Sequence, residues 1–211
     1  MKNIFINAVL FSGCLYMGAA QASVAMLESF FKEITTLEAR FDQAVIDETG
    51  LTLEESSGTF YLSRPGKFRW DYKSDDPDLA SGQQIVADGE SIFMFDPDLE
   101  QVTKRGLEDA LGQVPSLLLV QTGADIDKHF VVNDFGLIDG LTWAGLKPLD
   151  ENAGYQQLMI GFLGEEINTI TLVDGLGNET RLSLTAVKDN PELPQSIFDF
   201  EVPEGADVFG Q

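Results

Sequence analysis

The side chains that most often carry chemistry are scarce in this 211-residue chain. It has one histidine, His129, and one cysteine, Cys14. His129 has no second histidine with which to hold a metal, and no serine sits in a Gly-x-Ser-x-Gly elbow for it to activate. Acidic pairs such as Asp75-Asp76 and Asp96/Asp98 are plentiful, but with 35 Asp and Glu in the chain they say little about general acid–base work. Asp96-Pro97-Asp98 reads as a turn rather than a calcium loop. Asp174-Gly175-Leu176-Gly177-Asn178 looks superficially like a glycine-rich phosphate loop. It lacks the third glycine and precedes a strand pattern, so it reads as a hairpin turn. No enzyme activity, no metal and no cofactor are expected.

The chemistry that stands out is apolar, and it needs elements to position it. Val24, Leu27, Phe31, Ile34, Leu37 and Phe41 recur at three- and four-residue spacing after Ser23, a capping residue. This predicts an amphipathic helix of about four turns whose stripe must cover something. From about Phe41 the period changes to two. In Lys67-Phe68-Arg69-Trp70-Asp71-Tyr72-Lys73 the aromatics face one side and the charges the other, as in a strand with one buried face. Residues 84–95 read as a hairpin turning at Asp88-Gly89. Leu107 to Val120 reads as one or two short helices with Pro115 at a first turn or a break, and Asp125 to His129 adds a helical turn. Further strands are expected at Leu141–Ala144, Tyr155–Leu163, Thr169–Val173, Thr180–Val187 and Ile197–Val202. The predicted class is mainly β with helices (α+β). Many antiparallel strands with short turns suggest a barrel or strongly curved sheet, and the two amphipathic helical segments would cover its open side or mouth. Phe60, Leu62, Phe68, Trp70, Tyr72, Phe93 and Phe95 would line the inner surface.

The first residues read as an export signal. Met1-Lys2-Asn3 is weakly basic, residues 4–20 are mostly apolar, and Ala20-Gln21-Ala22 is a small-x-small cleavage site. Residues 1–22 are therefore expected to be removed, leaving 23–211 as a single domain. Phe11-Ser12-Gly13-Cys14 offers a competing reading, a lipobox that would lipidate Cys14. Cleavage after Ala22 would leave no cysteine, so the domain would be stabilised by its own core. It would also remove Lys2 and no acidic residue, moving the formal charge from −22 to −23. Such a surface repels nucleic acid and anionic lipid headgroups. Yet the chain is 44% hydrophobic, too apolar for a disordered acidic tail. Solubility, as in a salty medium, or a basic partner would each account for the acidity.

At Arg64-Pro65-Gly66-Lys67-Phe68-Arg69-Trp70 the chain resembles the LolA family, carriers of outer-membrane lipoproteins. Gly58-Thr59-Phe60-Tyr61-Leu62 leads into that motif. Val86-Ala87-Asp88-Gly89, the run Phe93-Met94-Phe95-Asp96-Pro97-Asp98, the helical 110–119 segment and the ending from Phe198 to Val208 follow in the family's order. The resemblance implies an incomplete antiparallel β-barrel (a strongly curved sheet) with an α-helical lid over a hydrophobic cavity, in a monomeric periplasmic chaperone without stable membrane insertion. Such a chaperone accepts lipoproteins from an inner-membrane ATP-dependent (ABC) release complex and delivers them to the outer-membrane receptor LolB. A LolB-like anchored receptor, or a lipid-binding envelope stress sensor of the same fold, is the alternative. The cavity would then hold acyl chains, with Leu111, Leu117 and Leu118 joining the strand residues named above. In the family the arginine of the Arg-Pro motif bonds the lid and governs its opening. Arg64 is the matching position, and Phe68 matches the family's functional phenylalanine. Lys67 and Arg69 depart from the family by adding positive charge beside that phenylalanine.

The acidity generates a first expectation. Raising NaCl from roughly 20 mM to roughly 0.5 M shortens the Debye length from well above 10 Å to well below it, and screens the chain's self-repulsion. The melting temperature should rise over that range; a flat or falling one would contradict it.

Overall fold

Alternating apolar residues decide the architecture, and they do so sooner in the chain than helical spacing suggests. A computed structural model describes residues 22–74, 82–107, 119–120, 126–151 and 153–210. Helix α1 (Ala22–Glu33) is followed at once by β1 (Thr36–Ile46) and β2 (Thr52–Ser63). Next come β3 (Lys67–Tyr72), β4 (Gln84–Asp88), β5 (Ser91–Asp96) and β6 (Gln101–Gly106). A one-turn helix α2 (Ile126–His129) precedes β7 (Phe130–Ile138), β8 (Leu141–Pro148) and β9 (Tyr155–Leu163). β10 (Glu166–Asp174), β11 (Glu179–Asp189), a 3-10 turn (Gln195–Phe198) and β12 (Asp207–Gly210) complete the described chain.

The helical stripe was expected to run on to Leu37 and Phe41, but α1 ends at Glu33. Leu37 and Phe41 fit a spacing of four, which both a helix and a strand satisfy. Leu37, Ala39 and Phe41 are each 1% exposed and alternate with outward residues, so this stretch is β1. The β-branched pair Thr35-Thr36 favours the change, and a distant residue fixes it. Asn190, just past β11, accepts from the Thr35 N–H at 2.8 Å and donates to the Glu33 carbonyl at 3.1 Å. The last turn of α1 thus finds a partner outside the helix.

All twelve strands belong to one sheet, in the order β12-β6-β5-β4-β3-β2-β1-β11-β10-β9-β8-β7. Every neighbour pair is antiparallel except β12 with β6, which is parallel. The sheet curves, and its two outermost strands, β12 and β7, are not paired with each other, so it does not close. Two rows of cross-strand partners line its inner face: Leu37–Leu62–Phe68–Ala87–Ile92, and Ala39–Phe60–Trp70–Ile85–Met94. Helix α1 lies across β7, β8 and β9 and buries Leu27, Phe30 and Phe31 against the same core. The turn at 174–178 is a hairpin, in which Asp174 Oδ1 accepts from the N–H groups of Leu176 and Asn178 at 2.8 and 2.9 Å.

Three further expectations change. β7 had no strand expectation, because its outward residues Val131, Phe135 and Leu137 are apolar and blur the alternation. Ile197–Val202 is not a strand: Pro194 precedes a 3-10 turn, and β12 starts only at Asp207. Phe93 and Phe95 do not line the inner surface. They alternate with inward Ile92 and Met94, and Phe93 stacks on Phe200 at 5.0 Å between ring centroids. The C-terminal segment covers this outer face, so both faces of β4–β6 are apolar and parity could not be read from the sequence. Residues 1–21 of the expected 1–22 export segment, and residues 108–118, which include Leu111, Leu117 and Leu118, lie outside the described residues; Ala22 opens α1.

One inner position must lack a side chain. Gly58, paired with Phe41 and Tyr72, leaves room for those two rings to meet edge to face at 5.2 Å. A Cβ there would strike the Asp71 carbonyl oxygen and sit 2.7 Å from the Phe41 ring. Gly58→Ala should therefore lower stability by about 1–3 kcal/mol, as over-packing does. Gly175→Ala, which opens into empty space, should cost less than about 0.5 kcal/mol. Urea unfolding of both variants checks this, and equal midpoints would refute it.

Candidate functional site

Arg64 lies at the end of β2, where the chain turns toward β3. Its own N–H donates to the Thr35 carbonyl at 2.8 Å, fixing the backbone beside the end of α1. Its guanidinium then reaches three carbonyls on two other segments. Nε donates to Leu119 O at 3.0 Å; Nη1 donates to Phe30 O at 3.2 Å and to Ile34 O. Phe30 and Ile34 belong to the last turn of α1 and the residue beyond it, where the dipole favours a cation; the Phe30 carbonyl also accepts from the Ile34 N–H at 3.2 Å. The guanidinium carbon also lies 4.6 Å from the Phe30 ring centroid and 4.9 Å from that of Phe31. This is within the range of cation–π attraction. Burial pushes the Arg64 pKa down to about 10, still far above neutrality, so the group is charged at pH 7.

The neighbouring backbone repeats the connection. Gly66 N–H donates to Val120 O at 3.1 Å, and Leu119 and Val120 are almost wholly buried. Segment 119–120, α1 and the β2–β3 turn are therefore held together by hydrogen bonds centred on one side chain. A lysine, a single compact ammonium, could not span the same acceptors.

Beneath Leu119 lies a cavity of about 220 Å³ bounded by both halves of the sheet. Trp70, Tyr72 and Ile85 form one wall, and Leu158, Ile170, Leu172 and Leu182 the other. Gln43 and Thr180 are its polar members. The Tyr72 hydroxyl donates to Gln43 Oε1 at 3.2 Å. Burial, then the nearby Glu54 charge, pushes the Tyr72 pKa up to about 12 against the lowering effect of that bond, so the phenol stays neutral. Of the expected cavity residues, Trp70 and Tyr72 line this space. Phe60, Leu62 and Phe68 are packed core behind it, with the Phe60 and Trp70 centroids 4.6 Å apart. The far wall and the three carbonyl acceptors were missed. The wall had a signal in the alternation of Leu158/Ile160, Ile170/Leu172 and Leu182/Leu184, whereas backbone acceptors leave none.

Nothing catalytic emerges among the described residues. His129 is exposed at the end of α2. Among the described residues no three His, Cys, Asp or Glu are grouped to hold a metal, and no helix is long and apolar enough to cross a membrane.

Comparison with known proteins agrees with this geometry. Among solved structures, an uncharacterized conserved protein from Thermus thermophilus is similar in fold. Its TM-score is 0.51 at 14% identity, over 90% of this chain and 97% of that one. A putative outer membrane lipoprotein-sorting protein domain from Vibrio parahaemolyticus gives 0.50 at 10% identity, over 83% and 94%. Sequence relatives are much nearer. The outer-membrane lipoprotein carrier protein of Methylobacillus flagellatus is 40% identical over 189 residues, 89% of each chain. That of Dechloromonas aromatica is 36% identical over the full length of both. The family model described as outer membrane lipoprotein carrier protein LolA matches residues 32–201. With most of its length matched by that model, the chain belongs to the LolA family.

Proposed function

We propose that this chain is a periplasmic chaperone, not an enzyme, that carries lipoproteins to the outer membrane. It accepts them from the ATP-dependent release complex of the inner membrane, shields their acyl chains in the cavity, and passes them to the receptor LolB. Family membership supports the carrier role. The observation that carries the mechanism is the Arg64 clasp, which ties α1 and segment 119–120 over the apolar cavity.

The energetics require such a device. Burying a 16-carbon chain yields on the order of 12 kcal/mol at about 0.8 kcal/mol per methylene. Two or three fully buried chains would exceed roughly 20 kcal/mol, about where non-covalent affinity saturates, and the cargo would not leave. Part of that energy has to oppose binding. The empty cavity, about 220 Å³, is smaller than the roughly 300–1,000 Å³ of pockets that enclose a ligand. Loading must therefore open it, breaking the charge-assisted bonds of Arg64, each worth about 1.5–3 kcal/mol. Those bonds stabilise the empty, closed state and so lower the apparent affinity for cargo.

Arg64→Leu should still load lipoprotein released from inner membranes. Its transfer to LolB should slow at least about tenfold, because losing roughly 1.4 kcal/mol of competing stabilisation tightens retention that much. Transfer assays with purified components check this; wild-type transfer by the variant would remove Arg64 from the mechanism.

A further inference from the structure

The two edges of the sheet are not alike. β12 is only four residues long, whereas β7 is nine residues long and has no strand beyond it among the described residues. Strand edges are normally kept short, charged or covered, because their free backbone groups recruit another strand. The outer side chains at the start of β7 carry no charge: Val131 and Phe135 are 46% and 44% exposed, with Asn133 between them. A bulge follows, where the register shifts between Asp134 and Gly136 and Asp134 Oδ1 accepts from the Gly136 N–H at 2.6 Å. Residues 130–134 thus stay a regular edge, and the bulge turns Phe135 onto the outer face.

That face carries an aromatic platform. A Cβ on Gly145 would strike the Phe135 ring, and one on Gly161 would lie 3.0, 3.0 and 3.1 Å from three carbons of the Trp143 ring. Such equal distances lay the indole face down on the glycine, so its other face points outward. Its Nε1 donates to Ile138 O at 3.2 Å, which fixes it. Gly136, the partner of Trp143 on β7, has no side chain to block an approach from the edge. Asp139, Glu165 and Glu166 stand exposed at the neighbouring β7–β8 and β9–β10 turns, and residues 132–146 and 157–173 contain neither Lys nor Arg.

We infer that β7 is a docking edge for an extended strand of a basic partner protein. The partner's backbone pairs with residues 130–134, as in strand addition. An arginine or lysine of that strand passes over Gly136 to the outward face of Trp143. There a cation–π contact holds it, and the carboxylates of Asp139, Glu165 and Glu166 favour its charge. Aromatic residues and Met are enriched where proteins meet, and Phe135, Trp143 and Met159 supply them on this face. A second copy of this chain is the poorer occupant, because each copy carries a formal charge of −22 and the two repel. Cargo binding and the Arg64 clasp play no part in this docking.

A short peptide of alternating valine and arginine tests this on the purified protein, read by fluorescence anisotropy and amide hydrogen exchange. The peptide should bind and raise protection in residues 130–134. Its twin, N-methylated along the backbone, keeps the charge but cannot pair. The twin should bind at least about tenfold more weakly, equivalent to about 1.4 kcal/mol. Trp143→Leu should weaken binding of the parent peptide by a similar factor; where that variant fails to fold, the methylated twin decides alone. No binding, or equal binding of the two peptides, would overturn strand addition, the second result leaving only charge attraction. Protection gained at β12 instead of β7 would overturn the choice of edge. Unchanged binding to a folded Trp143→Leu would overturn the cation–π contact. A concentration-dependent dimer that protects 130–134 without peptide would make a second copy the occupant and overturn the basic partner.

Discussion

A guanidinium held at the edge of an apolar interior is costly unless its donors are met, and that constraint organises the closed molecule. Arg64 meets it with three backbone carbonyls: Phe30 and Ile34 at the end of α1, and Leu119. The exchange is mutual. The helix end gains a cation where its dipole calls for one, and the cation gains acceptors and two aromatic faces at 4.6 and 4.9 Å. Segments distant in sequence are thereby joined through one side chain, beside the packing of Leu27, Phe30 and Phe31 in the core. An association of that kind can be undone as a unit, as a two-state closure requires.

The sheet supplies the opposite property. Its inner face is a continuous set of cross-strand rows in which aromatic residues meet edge to face around Trp70, Phe41 and Tyr72. Gly58 permits that cluster by leaving a space its neighbours fill. The outer face of β4–β6 is locked separately: Phe200 stacks on Phe93, Lys104 lies 5.3 Å from the Phe93 ring, and Arg69 donates to the Ile197 carbonyl at 3.3 Å. A rigid concave wall with a detachable cover suits a carrier that must bind apolar chains and then surrender them.

Much of this was legible in the sequence where one periodicity dominated. Lys67 to Tyr72 alternates cleanly and folds as expected, and the turns at Asp88-Gly89, Asp96-Pro97 and Asp174–Asn178 lie where their side chains can bond their own backbone. Legibility failed where two signals coincide. Leu37 and Phe41 satisfy helix and strand spacing alike, and Asn190, 155 residues beyond Thr35, bonds the chain where the helix ends at Glu33. Phe93 and Phe95 carried the right residue types on the wrong face, because the covering segment returns from the far end of the chain. Arg64 was legible only by family resemblance. Its acceptors are backbone carbonyls, and these leave no mark on residue identity.

Amide hydrogen exchange on the empty and the lipoprotein-loaded protein tests the clasp most directly. The informative amides are Ile34, bonded to Phe30 O, and Gly66, bonded to Val120 O. If cargo enters by opening the Arg64 clasp, loading should lower protection at both while β1, β2 and β3 stay as protected as before. Unchanged or increased protection at Ile34 and Gly66 in the loaded protein would contradict the account.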